Sequence, residues 1–198
     1  MEKKFEIIGK ETVYEGFFVM EKYRIKHTLF AGGWSGEVSR ELFRRSNCVA
    51  VVLYDPDADK IVLIEQFRVG AAANSDRAWL VEIVAGAIDE GETAEQVAIR
   101  ESKEEAGCEI LELKLINKFY TTPGGSSEMI SLFYGRVDSS EIGGIHGLDH
   151  ENEDILVYTV SFEEAYRMLE EGKIESGIPI IAIQWLALNK LNLRGKVF

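Results

Sequence analysis

Gly86-Ala87-Ile88-Asp89-Glu90-Gly91-Glu92-Thr93-Ala94-Glu95-Gln96-Val97-Ala98-Ile99-Arg100-Glu101-Ser102-Lys103-Glu104-Glu105-Ala106-Gly107 is the segment around which the rest of the chain is organised. Thr93 and Gln96 have the Thr-x-x-Gln spacing of a capping box, which predicts that a helix opens there. Ala94, Val97, Ala98 and Ser102 give that helix a stripe of small residues, and Gly107 ends it. At roughly 100° per residue, Glu101 and Glu105 lie one turn apart on the same face, and Glu104 falls within about 60° of Glu101. Three carboxylates thus share one arc near the C-terminal end, where they repel one another and the macrodipole disfavours anions. One reading is a solvated acidic face with Arg100 and Glu104 paired at i, i+4. The other is an oxygen-ligand site for a hard divalent cation, Mg²⁺ in particular.

Upstream, Cys48 to Tyr54 and Ile61 to Phe67 are β-branched runs separated by Asp55-Pro56-Asp57-Ala58-Asp59, the pattern of a hairpin. A loop from Gly70 to Arg77 leads into a strand over Trp79 to Val84. Downstream, Leu113 to Tyr120, Met129 to Val137 and Ile155 to Val160 read as strands. Ser161 and Glu164 predict a second capping box, opening a helix that ends at Gly172, and Ile178 to Leu191 reads as a closing helix. Phe5 to Arg45 alternates apolar and polar residues between glycines, as a strand meander does. Strands and helices interleave without regular βαβ alternation, which predicts an α/β sandwich of mixed sheets with an N-terminal antiparallel β-sheet appendage. Residues 1–45 form the expected appendage and residues 46–198 the expected main domain.

The 198 residues carry 22 Lys and Arg against 34 Asp and Glu, a formal charge of −12, which has the wrong sign for holding nucleic acid by counterion release. A small anionic ligand requires a local Arg cluster or a bound cation to offset that field. Cys48 and Cys108 are too few for a disulfide framework or a Cys-based zinc site, and a reducing cytoplasm is the expected compartment. The first residues alternate in charge and lack the apolar core of a signal peptide. The longest apolar run, Ile178 to Leu188, is interrupted by Gln184 and is much shorter than the roughly 20 residues of a membrane span. His146 and His150 do not make a convincing zinc pair, because Gly144 and Gly147 disfavour a helix and no further ligand supports one. No Walker-type phosphate loop or Ser-His-Asp arrangement at a nucleophile elbow is present.

Gly86, Glu92, Arg100, Glu101, Glu104, Glu105 and Gly107 fit Gly-x5-Glu-x7-Arg-Glu-x-x-Glu-Glu-x-Gly, a pattern that resembles the signature of the Nudix hydrolase family. Ser102 departs from it at a position that is usually apolar, and Cys108 takes the last apolar position as a small hydrophobe. Nearly the whole chain is similar to the ADP-ribose pyrophosphatase branch of that family. The resemblance is carried by Glu11 to Phe18, Val62 to Arg68, Thr122-Pro123-Gly124-Gly125-Ser126-Ser127-Glu128, Gly144 to Leu148, and Glu151-Asn152-Glu153-Asp154-Ile155. Pro123 stands sixteen positions after Gly107, a spacing that resembles the marker of the branch.

The resemblance implies a Nudix-type α/β/α sandwich hydrolysing ADP-ribose to AMP and ribose 5-phosphate. It implies two or three Mg²⁺ ions per site, with Mn²⁺ as an alternative, held by Glu101, Glu105 and the Ala85 carbonyl, with Glu104 as a further ligand. Glu151 is then the general base and Glu153 a ligand to an additional ion, while Glu92 and Arg100 act as scaffold. Arg40, Glu41, Arg45 and Arg68 match substrate-contacting positions, and Phe17 and Phe18 hold adenine. Pro123 and Gly124 let backbone approach the substrate, and Glu128 accepts a sugar hydroxyl. The branch also implies a homodimer with exchanged N-terminal strands, which brings adenine-side residues such as Arg40 to the partner's site. Two rival readings are a pyrophosphatase for GDP-mannose or another nucleoside-diphosphate sugar, and a non-catalytic ADP-ribose sensor. The intact set of Glu101, Glu104 and Glu105 speaks against the second.

Overall fold

The structure, a computed structural model, describes residues 2–193. The outer ends of the two expected regions, Met1 and residues 194–198, lie outside the described residues. Contacts divide the chain into two compact units. One comprises the chain up to Asn47 together with Phe119–Ile130, and the other comprises Cys48–Lys118 and the chain from Ser131 onward.

In the first unit, β1 (Phe5–Glu15), β2 (Val19–His27) and β3 (Val38–Arg44) form an antiparallel sheet in the order β1-β2-β3. Glu21, near the start of β2, is buried there against Lys10 at 2.9 Å and Arg44 at 3.2 Å, and accepts the Tyr23 hydroxyl at 2.9 Å. Those donors hold its carboxyl below the usual range, the Lys10 contact most of all. The turn at residues 122–126 belongs to this unit, with the Phe43 N–H donating to the Gly125 carbonyl at 2.8 Å.

The second unit is built on β4 (Cys48–Asp55) and β5 (Lys60–Phe67), paired through Tyr54 with Ile61. Asp55 shapes the turn between them by accepting the N–H groups of Asp57 and Ala58 at 2.9 and 3.0 Å. After the four-residue helix α1 (Val69–Ala72), the expected strand over Trp79 to Val84 is in fact two strands. β6 (Trp79–Glu82) pairs with β5, whereas β7 (Val84–Ala87) pairs with β4, so the chain changes partner across Ile83. Helix α2 (Ala94–Ala106) follows, then β8 (Glu112–Tyr120), β9 (Met129–Arg136), β10 (Gly144–His146) and β11 (Ile155–Ser161). The chain continues through α3 (Phe162–Glu170) and α4 (Gly177–Leu193).

The central path runs β10-β11-β5-β4-β9-β8, in the mixed-sheet α/β architecture expected from the sequence. From Val49 onward β4 is buried on both faces, which explains its unbroken apolar run. Val49, Val51 and Leu53 join Val97, Ala98 and Ala106 of α2 in the core. Ser102 is fully buried in α2, and its hydroxyl donates to the Ala98 carbonyl at 2.8 Å, so the departure from an apolar residue leaves no polar group unsatisfied. The second capping box forms only in half. Ser161 accepts the Glu164 N–H, but the Glu164 carboxylate is taken by Arg167 at 2.7 Å instead of returning to the cap.

Candidate active site

Helix α2 starts where the sequence places it. The Thr93 hydroxyl accepts the Gln96 N–H at 3.2 Å, and the Gln96 side chain accepts the Thr93 N–H at 2.8 Å. Gly107 closes the helix with a left-handed φ of 63°. This register sends Glu101 and Glu105 toward β7, where the Glu105 carboxylate accepts the Ala85 N–H at 2.9 Å. Glu105 is only 3% exposed. Gly86 is required by close approach, because a Cβ there would overlap the Glu101 carboxylate.

Arg100 is the hub of the acidic face. Its Nε and Nη2 donate to the two oxygens of Glu92 at 3.0 and 3.1 Å. Its Nη1 donates to Glu101 at 2.8 Å and to Glu104 at 2.9 Å. The i, i+4 pair is therefore present as one arm of a four-residue network that also ties Glu92, before the helix, to the helix itself.

Burial is the main cause that raises Glu105 to about 8, opposed by the Ala85 N–H and reinforced by Glu101 and Glu153. Burial likewise raises Glu101 to about 7, opposed by Arg100 and reinforced by Glu104 and Glu153. Two packed carboxylates resisting ionisation are what a site for a cation provides before the cation arrives.

The segment after β10 brings further acids to the same place. Gly147 has a φ of 108°, and a Cβ on it would lie 2.7 Å from the Glu153 Cβ. The Leu148 N–H donates to the Glu153 carboxylate at 3.1 Å, folding the loop across a short 3-10 turn at Asp149–Glu151. Asn152 follows in the left-handed region at φ 55°. Glu151 is 55% exposed at the side chain, 3.6 Å from His150. Ala85, Gly86, Glu101, Glu104, Glu105, Glu151 and Glu153 all line one cleft of about 310 Å³, together with Arg100. Asp89 and Leu148 line it as well. Sequence reading missed both: Asp89 stood among the unspecified positions of the motif, and Leu148 has no polar side chain to single it out.

The donors facing the cleft are carboxylates and main chain, an oxygen-only set that suits Mg²⁺ or Mn²⁺ and not a thiophilic ion. Among the described residues, no three His, Cys, Asp or Glu side chains already converge as a metal cage. The carboxylates are instead turned to Arg100, the Ala85 N–H and the Leu148 N–H. At the end of β5, Arg68 donates from Nε and Nη2 to Glu82, both at 2.8 Å.

The first unit carries a separate cluster. Phe18 meets Phe17 and Phe43 edge-on, each at a centroid distance of 4.8 Å. The Arg45 guanidinium lies 4.9 Å from the Phe18 ring and 5.9 Å from the Phe43 ring. Arg45 also pairs with Glu128 at 3.1 Å, and Glu128 accepts the Thr121 hydroxyl at 3.1 Å. Phe17 is 95% exposed. Pro123 and Gly124 sit in a turn closed by Gly125 and Ser126 N–H bonds to the Thr122 carbonyl. Arg40 and Glu41 stand exposed on β3, opposite Tyr23 and Lys22. Phe43 was not foreseen as part of this cluster, although it lies only two residues before Arg45, which follows the end of β3.

These features define a member of a known class: a NUDIX domain is matched over residues 44–195, and the chain belongs to the NUDIX family. An ADP-ribose pyrophosphatase of Haemophilus influenzae is 47% identical over 196 residues, spanning 98% of this chain and 90% of the relative. A GDP-mannose pyrophosphatase of Enterobacter sp. (strain 638) is 32% identical over 196 residues, spanning 96% of this chain and 99% of the relative. The crystal structure of an ADP compounds hydrolase superposes with a TM-score of 0.73 at 22% identity, covering 98% of this chain and 97% of its own, a likeness of fold.

Proposed function

We propose that this protein is a metal-dependent pyrophosphohydrolase that cleaves ADP-ribose to AMP and ribose 5-phosphate and also acts on other ADP-sugars. The observation that carries the reading is the oxygen-lined cleft of Glu101, Glu104, Glu105, Glu151 and Glu153, in a chain 47% identical to an ADP-ribose pyrophosphatase. Glu101, Glu105 and the Ala85 carbonyl hold Mg²⁺, with Glu104 and Glu153 completing sites for two or three ions and Mn²⁺ as the alternative. When bound, such ions supply charge neutralisation at the diphosphate and a more acidic water.

The chain's own groups do the rest. Glu151, whose exposed carboxylate has no partner among the described residues closer than His150 at 3.6 Å, takes the proton from the attacking water. Arg68 donates to the diphosphate, and Arg100 with Glu92 holds the helix and the loop before it in register. Phe17 and Phe18 receive adenine, Arg40, Glu41 and Arg45 contact the nucleotide side, the Pro123-Gly124 turn approaches the substrate, and Glu128 accepts a sugar hydroxyl.

The N-terminal strands belong to a homodimer in which they are exchanged between subunits. Two observations support this. Residues 1–47 carry nine Lys and Arg against seven acids in a chain of net charge −12. The same region leaves Phe5 of β1 72% exposed and Phe30, in the connection between β2 and β3, 90% exposed, an aromatic load that a second subunit would cover. Cys48 and Cys108 are not joined in a disulfide, which suits a reducing cytoplasm. Among the described residues, no helix is long and apolar enough to cross a membrane.

A product assay offering ADP-ribose, ADP-glucose, GDP-mannose and NADH in equal amounts tests the substrate. AMP and ribose 5-phosphate from ADP-ribose should dominate, and EDTA should abolish them. Preferential cleavage of GDP-mannose would transfer the assignment to the activity of the 32%-identical relative.

A further inference from the structure

Glu82 plays no part in the chemistry described so far, yet it is only 13% exposed at its side chain and carries a cation. Both the Nε and the Nη2 of Arg68 donate to its Oε2 at 2.8 Å, and Gln66 Nε2 approaches the same oxygen at 3.5 Å. The contact is made across a strand pair: Glu82 lies on β6 and Arg68 just beyond β5, whose Phe67 pairs with Trp79. The Arg68 backbone is pinned as well, its N–H donating to the Ala78 carbonyl at 2.7 Å.

One edge of the guanidinium is therefore occupied, and among the described residues its Nη1 has no protein partner. The side chain is 42% exposed, so that free edge is accessible. Arg68 also stands within electrostatic reach of the cleft, because its charge favours the ionised form of Glu105. A long cationic side chain left untethered within reach of Glu105 would be drawn toward that carboxylate and away from a substrate anion.

We infer that Glu82 is the positioning residue for Arg68: it holds the Nε and Nη2 edge away from the acidic cleft, so that only the Nη1 edge donates to an anionic oxygen of the diphosphate. The inference rests on the reading of Arg68 as a substrate contact.

The test is a double-mutant cycle on KM and kcat for ADP-ribose in wild type, Glu82→Gln, Arg68→Ala and the double variant, with Tm measured for each. Glu82→Gln should raise KM about tenfold, the scale of one charge-assisted hydrogen bond, while changing kcat much less. In the Arg68→Ala background the same substitution should have no further effect. Multiplicative effects in the double variant, or a wild-type KM for Glu82→Gln while Arg68→Ala is impaired, would overturn the positioning role and leave the Arg68 contact standing. Wild-type constants for Arg68→Ala would instead overturn the substrate contact itself. Should Glu82→Gln fold poorly, Glu82→Asp keeps the charge and shortens the reach. Its rise in KM should likewise vanish in the Arg68→Ala background, and a rise that persists there overturns the proposal.

Discussion

Glu105 and Ala85 are twenty residues apart in sequence and are joined by a 2.9 Å hydrogen bond from the Ala85 N–H to the buried Glu105 carboxylate. The bond fastens α2 to β7 and fixes the height of Glu101, one turn earlier, over Gly86. The backbone of Ala85 is thereby held at the cleft next to the carboxylates with which it is proposed to share a metal ion.

Removing either helix carboxylate should separate catalysis from folding. Glu101→Gln and Glu105→Gln each relieve repulsion in the metal-free protein, so Tm in EDTA should be unchanged or slightly higher. Turnover with Mg²⁺ should fall by orders of magnitude. Activity of either variant near the wild-type rate would remove these residues from the metal site.

The raised carboxylates set a pH dependence. Their folded values of about 7 for Glu101 and about 8 for Glu105 lie above the ordinary 4.5, so between pH 4.5 and 8 the folded chain binds more protons than the unfolded one. Their contribution to stability is complete below pH 4.5 and is lost as the pH rises through 7 and 8. Divalent metal takes the ionised forms and offsets that loss. Urea midpoints in EDTA should fall from pH 5 to pH 8, Mg²⁺ should shrink the fall, and Glu105→Gln should flatten it. A midpoint that rises over this interval in EDTA would contradict the assignment.

Glu151→Gln tests the base. The substitution should lower kcat far more than it raises KM, with Mn²⁺ affinity at Glu101 and Glu105 nearly unchanged in a direct titration. Wild-type turnover would move the proton transfer to Glu153 or Glu128.

Gly86→Ala tests the close approach of β7 to α2. The added methyl meets the Glu101 carboxylate, so either that side chain leaves its position or the helix shifts. The expected cost is about 1–3 kcal/mol in stability, accompanied by weaker metal binding. Both are read from melts with and without Mg²⁺, and a variant with unchanged Tm and metal response would show that the contact is slack.

The exchanged-strand dimer predicts complementation. Co-refolding Arg40→Ala with Glu101→Gln places both intact groups together in one of the two mixed sites, so part of the activity should return although each variant alone is poor. A monomer by sedimentation at assay concentration, or no recovery in the mixture, would refute the shared site and leave the hydrolase reading intact.

Much of this molecule was determined by local sequence. The Thr93 and Gln96 cap, the Gly107 stop, the hairpin around Asp55 and the arc of Glu101, Glu104 and Glu105 all follow from spacings within a few residues, where backbone geometry alone decides who meets whom. Tertiary structure decided what spacing cannot encode. Ile83 splits an apparently continuous strand because its two halves find different partners, and Glu164 leaves its own cap because Arg167 offers a charged one. Glu105 resists ionisation only because α2 is buried against β7, and Glu82 meets Arg68 only because β5 and β6 pair in this register. Those outcomes depend on burial and on contacts between residues distant in sequence, which come into being only when the sheet has formed.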